Sequence, residues 1–293
     1  MQFLDVKTDY AFKKVFGSEQ SKPILISFLN ALLDFNGEKV IDLTIVDPYQ
    51  IPLLQGMKDI FVDVKAVLSN QTKVIIEMQI LNVEGFEKRV LYNAAKSYST
   101  QLLKGEKYHL LNPVVALTIT DFLMFDDLKD IITNFKLLEK NHLINYSDDI
   151  QLVFVELPKF LKTDQELTSI TDKWIYFVKN AGSLEYIPEI LQNDQDIQQA
   201  FTIANTASLS RTELELQEKR HDFIMLQQGS IELARSQGKQ EGLQQGLQQG
   251  LQQGKEETRL EIAKNLSAAG LEMSLIMKTT GFSQLELEKI KNL

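Results

Sequence analysis

The chain of 293 residues contains no cysteine, which excludes disulfides, thiolate zinc sites and cysteine nucleophiles. Its apolar fraction of 44% and charged fraction of 24% are typical of a folded globular protein of one large domain or two ordinary ones. A net charge of −9 argues against a nucleic-acid-binding protein, but residues 1–125 hold 13 Lys and Arg against 14 Asp and Glu, which leaves room for a local basic face.

The opening segment, MQFLDVKTDY, has no basic region followed by a long apolar run, and we expect no signal peptide. No apolar segment of the sequence is long enough to cross a bilayer. We therefore expect a soluble, cytoplasmic protein without membrane contact.

Two helices open the predicted order of elements. TDYAFKKVFG predicts a short helix that ends at Gly17, and SKPILISFLNALLDFNG predicts a longer one that ends at Asn36-Gly37. Both segments place apolar residues three and four positions apart, so each helix should bury one face.

Strands and one helix follow. Residues 40–46, 58–68 and 73–81 are rich in β-branched and apolar residues, and the last two runs are separated by the polar SNQT, as in a hairpin. Residues 84–104 have helical periodicity, and 113–120 are again strongly β-prone. The order α, β, β, β, α, β predicts a mixed α/β domain.

Further along, residues 150–157 predict another strand, and SITDKWIYFVKNA predicts a helix that places Trp174 in the core. We expect four segments: 1–125 as the first part of the domain, 126–232 as its remainder, 233–257 as a linker or helix, and 258–293 as a small helical segment.

A tetrapeptide repeat interrupts this pattern. GKQEGLQQGLQQGLQQG places a glycine at every fourth position from 238 to 254. Each glycine destabilises a helix by about 1 kcal/mol relative to alanine. We expect a flexible connector here; the alternative is a continuous helix whose glycine stripe packs closely on a partner helix.

Acidic side chains lie within the predicted hairpin. Side chains alternate along a strand, so Asp63 and Lys65 share a face of the first strand, and Glu77 and Gln79 share a face of the second. If Asp63 faces Glu77, the numbers of facing residues add up to 140, and the loop has an odd length, such as 69–71. The two carboxylates would then be about 5 Å apart.

Facing carboxylates repel each other, and burial increases the cost of both charges. A hard divalent cation such as Mg²⁺ offsets this cost, and it can activate water and stabilise a phosphoryl oxygen. Asp63, Glu77 and Gln79 would then form a metal-dependent phosphodiesterase site. Two alternatives remain: these side chains form the wet face of the strand, or a two-residue loop pairs Asp63 with Met78 and separates the carboxylates.

The predicted helix over 84–104 carries polar residues at helical spacing. Arg89, Tyr92 or Asn93, and Lys96 recur three to four positions apart, and Gln101 lies close by in sequence. This face could follow a phosphate backbone, with tyrosine packing on sugars or bases. The alternative is an ordinary amphipathic surface helix.

Five segments in order carry a family resemblance: TDYAFKKVFG, LISFLNALL, KDIFVDVKAVLSNQTKVIIEMQI, KRVLYNAAKSYSTQLLKGEKYHLLNPVVALTITDF and FVELPKF. Over roughly residues 5–230 the chain resembles the PD-(D/E)XK nuclease family transposases, also called recombination-promoting nucleases. The resemblance implies the restriction-endonuclease-like core of PD-(D/E)XK nucleases. It also implies DNA cleavage that depends on Mg²⁺, or on Mn²⁺ or Ca²⁺, and a link to recombination or mobile elements.

The resemblance assigns the metal ligands. Asp63 matches the first acidic position of the signature and Glu77 the second. Gln79 falls where the wider superfamily has lysine, whereas the transposase-like branch resembles this sequence in having Glu-x-Gln. A glutamine can orient water by hydrogen bonds but supplies no charge. Lys65 and Lys96 are candidates for the missing cation, although Lys65 can equally be read as a solvated strand lysine.

Asp9, on the first helix, resembles an accessory acidic residue of some superfamily members; the alternative is a simple helix-start aspartate. Two functions stay open: a metal-dependent DNA endonuclease, or a catalytically silent binding module. In the second case the C-terminal helices would mediate self-association, for example as a homodimer.

Overall fold

The computed structural model describes residues 2–35, 37–50 and 60–291. The chain forms two compact units, Met1–Leu226 and Gln227–Leu293. Among the described residues, no helix combines the length and the apolar character needed to cross a membrane.

The α-helices are α1 (Asp9–Phe16), α2 (Lys22–Leu32), α3 (Phe86–Ser99), α4 (Ile170–Asn180), α5 (Glu189–Gln192), α6 (Gln195–Ala204), α7 (Arg211–Ala268), α8 (Met273–Thr280) and α9 (Gln284–Lys291). The strands are β1 (Leu43–Val46), β2 (Tyr49–Gln50), β3 (Ile60–Phe61), β4 (Val64–Leu68), β5 (Lys73–Gln79), β6 (Val114–Thr120), β7 (Ile132–Leu138) and β8 (Asn145–Glu156).

One six-stranded sheet organises the first unit, in the order β1-β4-β5-β6-β8-β7. The central strands β5, β6 and β8 run parallel, whereas β1, β4 and β7 pair antiparallel with their neighbours. Strands β2 and β3 form a separate antiparallel pair. The mixed α/β class predicted from the sequence is confirmed.

Helices cover both faces of the sheet. The main core joins α1, α2, α4 and α6 to one face, and it includes the fully buried Trp174, as the sequence predicts. The other face of the sheet packs against α3 through smaller clusters around Ala94 and Val90. The predicted apolar face of α1 is buried at Ala11, Phe12, Val15 and Phe16.

The hairpin of β4 and β5 has the predicted register as far as Val64, and Asp63 lies at a bend just before it, where its N–H donates to the Ile76 carbonyl at 3.0 Å. Val64 faces Ile76 and Lys65 faces Ile75, so the numbers of facing residues add up to 140. Leu68 donates its N–H to the carbonyl of Thr72 at 2.9 Å, which closes a three-residue loop. The two-residue loop that would pair Asp63 with Met78 is therefore excluded.

Several predicted boundaries are wrong. Helix α2 ends at Leu32 rather than at Asn36-Gly37, because the chain turns extended at Leu33 and the Asp34 carboxylate accepts the Gly37 N–H at 3.0 Å. Asn36 itself, like residues 58–59 of the predicted first hairpin strand, lies outside the described residues.

Strand β7 was not expected from the sequence, and β8 begins at Asn145 rather than at 150. Most side chains of β7 are exposed, because it is an edge strand that pairs only with β8. Its sequence therefore lacks the apolar alternation that identifies a half-buried strand.

The expectation of a flexible connector over the repeat is wrong, because α7 continues through Gly238–Gly254 as regular helix. Outside the helix backbone, no atom lies within 4 Å of where a Cβ would stand on these glycines. The close partner helix of the alternative interpretation is thus also missing within the described residues. Leucine and glutamine, both good helix formers, occupy the other positions and offset part of the glycine cost.

Residues 258–291 are largely helical, as the prediction of a small helical segment requires: they form the end of α7, α8 and α9. Ala263, Ile276 and Leu287 form a small core between these three helices. A capping box begins α9, since Ser283 donates its N–H to the Glu286 carboxylate at 2.8 Å and Glu286 donates its N–H to Ser283 Oγ at 3.4 Å.

We expect Gly246→Ala to raise the stability of the repeat helix by about 1 kcal/mol, because the added methyl group meets no neighbouring atom. Hydrogen exchange of backbone amides in the full chain measures the gain as slower exchange over the repeat. Gly270→Ala is the matched control: its φ of +75° is unfavourable for alanine, so this variant should lose stability. Faster exchange in Gly246→Ala would contradict the prediction.

Candidate active site

A cleft of about 620 Å³ opens beside the carboxyl end of β5 in the first unit. Its walls come from α1, the end of β5, α3 and the first turns of α7. Asp9, Asp63, Glu77 and Gln79 all line it, together with Arg89. The structure thus brings both predicted metal ligands, the predicted accessory acid and the glutamine to one place.

Asp63 lies at a bend between β3 and β4. Its Oδ2 accepts the backbone N–H of Met78 at 2.8 Å, and Lys13 Nζ lies 3.4 Å from Oδ1. The side chain is only 11% exposed. Burial raises the pKa of this carboxyl group, the Met78 N–H and the Lys13 ammonium oppose the rise, and the negative charge of Asp9 adds to it.

Glu77 sits on β5 with its side chain towards α3 and 15% exposed. Its Oε1 accepts a hydrogen bond from Arg89 Nη2 at 2.5 Å, and its Oε2 accepts one from Asn93 Nδ2 at 3.3 Å. Burial raises the pKa of Glu77; Arg89 lowers it, and the negative charge of Asp63 raises it again. The two carboxylates are therefore close enough to repel each other.

Gln79 is held at both ends of its amide. Its Oε1 accepts a hydrogen bond from Arg89 Nη2 at 2.7 Å, and its Nε2 donates to the Leu81 carbonyl at 2.7 Å. The Arg89 guanidinium carbon lies 4.9 Å from the centre of the Phe86 ring. One arginine nitrogen thus bridges the glutamate and the glutamine of the Glu-x-Gln motif.

Asp9 is both a helix-start aspartate and a cleft residue. Its Oδ1 accepts the N–H of Tyr10 at 2.8 Å, and its Oδ2 forms an ion pair with Arg220. The effect of its charge on the pKa of Asp63 shows that the two carboxylates interact.

The first turns of α7 contact α1 through polar residues at positions i, i+4 and i+7. Glu213 accepts hydrogen bonds from Tyr10 Oη at 2.5 Å and from Lys14 Nζ at 3.1 Å. Gln217 accepts one from Thr8 Oγ1 at 3.4 Å, and Arg220 pairs with Asp9. The spacing of these polar residues predicts one face of a helix, but not the element against which that face packs.

Lys65, one expected source of a cation, lies among charges other than those of the cleft, and the role of Lys96 as the second candidate stays a prediction. Burial lowers the pKa of Lys65, and the charges that act on it are those of Asp47 and Lys73 rather than those of the cleft. Lys96 is 5% exposed. It therefore cannot lie along a phosphate backbone in this conformation.

The predicted nucleic-acid face of α3 is turned mainly towards the sheet. Arg89 and Asn93 contact Glu77, whereas Tyr92 points outward and is 40% exposed. Gln101 uses both ends of its amide on the backbone of Asn112, at 2.9 Å each, which is a structural role. The polar face of α3 is turned towards the sheet because Glu77 lies beneath it, and a buried carboxylate needs polar partners on the helix that covers it.

Sequence reasoning missed Lys13 as a partner of Asp63 and assigned Arg89 to DNA rather than to the carboxylates. The sequence offered only a general indication of such partners: two carboxylates predicted on a packed sheet require cations nearby. The sequence spacing does not say which helix supplies them.

The donor chemistry fits a hard divalent cation. Among the described residues, no three His, Asp or Glu side chains converge as metal ligands. Asp63 and Glu77 nevertheless offer two carboxylates that are shielded from water and repel each other. Mg²⁺ commonly uses one or two carboxylates and completes its shell with water and substrate oxygens.

A protein-family model described as PD-(D/E)XK nuclease family transposase matches residues 6–234, well over half of the chain. Comparisons with curated proteins and with solved structures gave no match.

We expect Asp63→Asn to remove a pH-dependent loss of stability. The pKa of Asp63 is raised in the folded state, so its protonated form stabilises the fold at low pH. This stabilisation is lost as the pH rises from 3.8, the ordinary pKa of aspartate, through the raised pKa of the folded state. The difference in unfolding free energy between the variant and the wild type should therefore grow over this window. Urea unfolding without divalent ions at several pH values measures it.

The matched control is Asp127→Asn, since Asp127 is an exposed aspartate outside the cleft. Its difference from the wild type should stay constant across the same pH window. A constant difference for Asp63→Asn as well would contradict the prediction.

Proposed function

This chain belongs to the PD-(D/E)XK nuclease family transposases, and we propose that it is a divalent-metal-dependent endonuclease that hydrolyses phosphodiester bonds of DNA. The observation that carries the proposal is the pair of shielded carboxylates, Asp63 and Glu77, at the cleft. Their mutual repulsion and raised pKa values are the features that a cation would relieve.

Asp63 and Glu77 would hold Mg²⁺, with Mn²⁺ or Ca²⁺ as alternatives. When bound, such a cation activates water for attack on phosphorus and stabilises charge on the phosphoryl oxygens. The protein itself orients the ligands: the Met78 N–H fixes the carboxylate of Asp63, and Arg89 and Asn93 fix that of Glu77.

The cleft also carries groups suited to a polyanion. Lys219 and Arg220 on α7 line it, and Tyr10 and Phe223 add aromatic surface. Cations attract phosphates, and aromatic rings pack on bases or sugars. Such a local set of cations makes DNA binding compatible with the acidic balance of the whole chain.

We place this cleavage in DNA recombination or the movement of mobile elements. That assignment rests on the description of the family and not on the geometry of the cleft.

A binding module without catalysis is the second candidate. Gln79 favours it, because a neutral amide stands where the nuclease signature has a lysine. Leu243, Leu247 and Leu251 favour its self-association, because these side chains recur every four residues and are exposed on α7.

We expect the purified full chain to nick or linearise supercoiled plasmid DNA in the presence of Mg²⁺ or Mn²⁺. Asp63→Ala and Glu77→Ala should each lower the rate at least about 100-fold, because even residues that only support metal ligands cost 10–100-fold when lost. Agarose gels of a divalent-ion titration measure the rate, and circular dichroism checks that each variant is folded.

Asp127→Ala, which removes an exposed carboxylate outside the cleft, should cleave as the wild type does. Full activity in either cleft variant would contradict the proposed site. Stoichiometric DNA binding without cleavage by the wild type, in any divalent ion, would favour the binding module.

A further inference from the structure

We propose that Arg89 supplies the positive charge that the Glu-x-Gln motif of this chain lacks, and that it positions Glu77 and Gln79 as one unit. This inference rests on the proposed function and adds a positioning residue to it. It assigns to an arginine on α3 the part that a lysine on β5 would play in the nuclease signature.

The contacts of Arg89 fix it on three sides. Nη2 donates to Glu77 Oε1 at 2.5 Å and to Gln79 Oε1 at 2.7 Å. The guanidinium also stacks on the buried ring of Phe86 at 4.9 Å. A planar guanidinium held in this way loses little conformational entropy when it meets a charged group.

Unpartnered polar atoms lie beside these contacts. Arg89 Nε and Asn93 Oδ1 are both buried and have no hydrogen-bond partner among the described residues. They lie on one stripe of α3, four positions apart, next to Glu77. A buried donor or acceptor without a partner destabilises the fold, so a purely structural stripe would not be expected to carry both.

The other cations near the motif fit this role less well. Lys13 contacts Asp63 rather than Glu77 or Gln79, and its side chain is 42% exposed. Lys65 lies among the charges of Asp47 and Lys73. Arg89 touches both polar side chains of the motif.

Arginine does not release its proton at physiological pH, so Arg89 cannot act as a general base. Its contribution is electrostatic: a fixed positive charge close to where the phosphate gains negative charge. The same charge repels a divalent cation held by Glu77. Removing it should therefore separate two properties, because metal binding is kept or strengthened while cleavage is lost.

The test uses the full chain with Arg89→Gln, Arg89→Lys and Lys88→Gln. Lys88 is an exposed neighbour on the same helix, so its variant removes the same charge without touching the motif. Mn²⁺ binding by calorimetry across pH and plasmid cleavage are measured for each protein. Arg89→Gln should lower cleavage by about 100-fold or more, as the loss of one fixed transition-state donor does.

The expected pattern has three further parts. Mn²⁺ should bind to Arg89→Gln at least as tightly as to the wild type, because the positive charge beside Glu77 is removed. Arg89→Lys should recover part of the cleavage. Lys88→Gln should match the wild type in both measurements.

A second variant tests the replacement of one cation by another. Gln79→Lys, placed in the Arg89→Gln background, should restore cleavage towards the wild-type rate. In the wild-type background it should not raise the rate, because two cations would then crowd Glu77. A double variant no more active than Arg89→Gln alone would count against the replacement.

Three results would overturn the inference. Arg89→Gln could cleave like the wild type, Arg89→Lys could be as impaired as Arg89→Gln, or Mn²⁺ binding could disappear together with cleavage in a folded variant. If the wild type itself does not cleave, the proposed function fails, and crystal structures of the variants decide. Displaced Glu77 and Gln79 side chains in Arg89→Gln, but not in Lys88→Gln, then support the inference, and unmoved side chains overturn it.

Discussion

The burial of Glu77 on a central strand, under a helix, is the constraint on which the rest of the site depends. A carboxylate removed from water is unstable unless cations or hydrogen-bond donors meet it. Arg89 and Asn93 meet it from α3, and this requires their stripe of the helix to face the sheet. The polar residues of α3 thus follow from a charge on the sheet, and the same contacts define the wall of the cleft.

The cation beside the second carboxylate, Asp63, comes from a helix on the opposite face of the sheet. Lys13, on α1, lies 3.4 Å from Asp63, and α1 belongs to the main core, whereas α3 packs on the other face. The hairpin register fixes the two acids relative to each other, and each helix layer contributes one cation. A change in the packing of either layer would therefore alter the charge balance of the site without altering its ligands.

Local patterns in the sequence were sufficient for the hairpin and the first helix, because their signals are complete within a few residues. The hairpin was predicted with its register left open, and the observed pairs, from Val64 with Ile76 to Val67 with Lys73, have the register of the three-residue loop. The edge strand β7 was not predicted, because its exposed side chains show no regular alternation of apolar and polar residues. The spacing on α3 predicted a stripe that includes Arg89 but not its contacts with Glu77 and Gln79, since helical spacing defines a stripe and not the surface that the stripe meets.

Charge balance links the separate contacts of the cleft. Each carboxylate has its own cation from a different helix: Asp63 has Lys13 from α1, Glu77 has Arg89 from α3, and Asp9 has Arg220 from α7. A divalent cation entering this set is repelled by the cations as well as attracted by the acids. A phosphate is attracted by the cationic side chains of the cleft, which are the same side chains that repel a metal ion. Under the proposed function, metal and polyanion would therefore bind better together than either alone, since each would offset the repulsion that the other experiences.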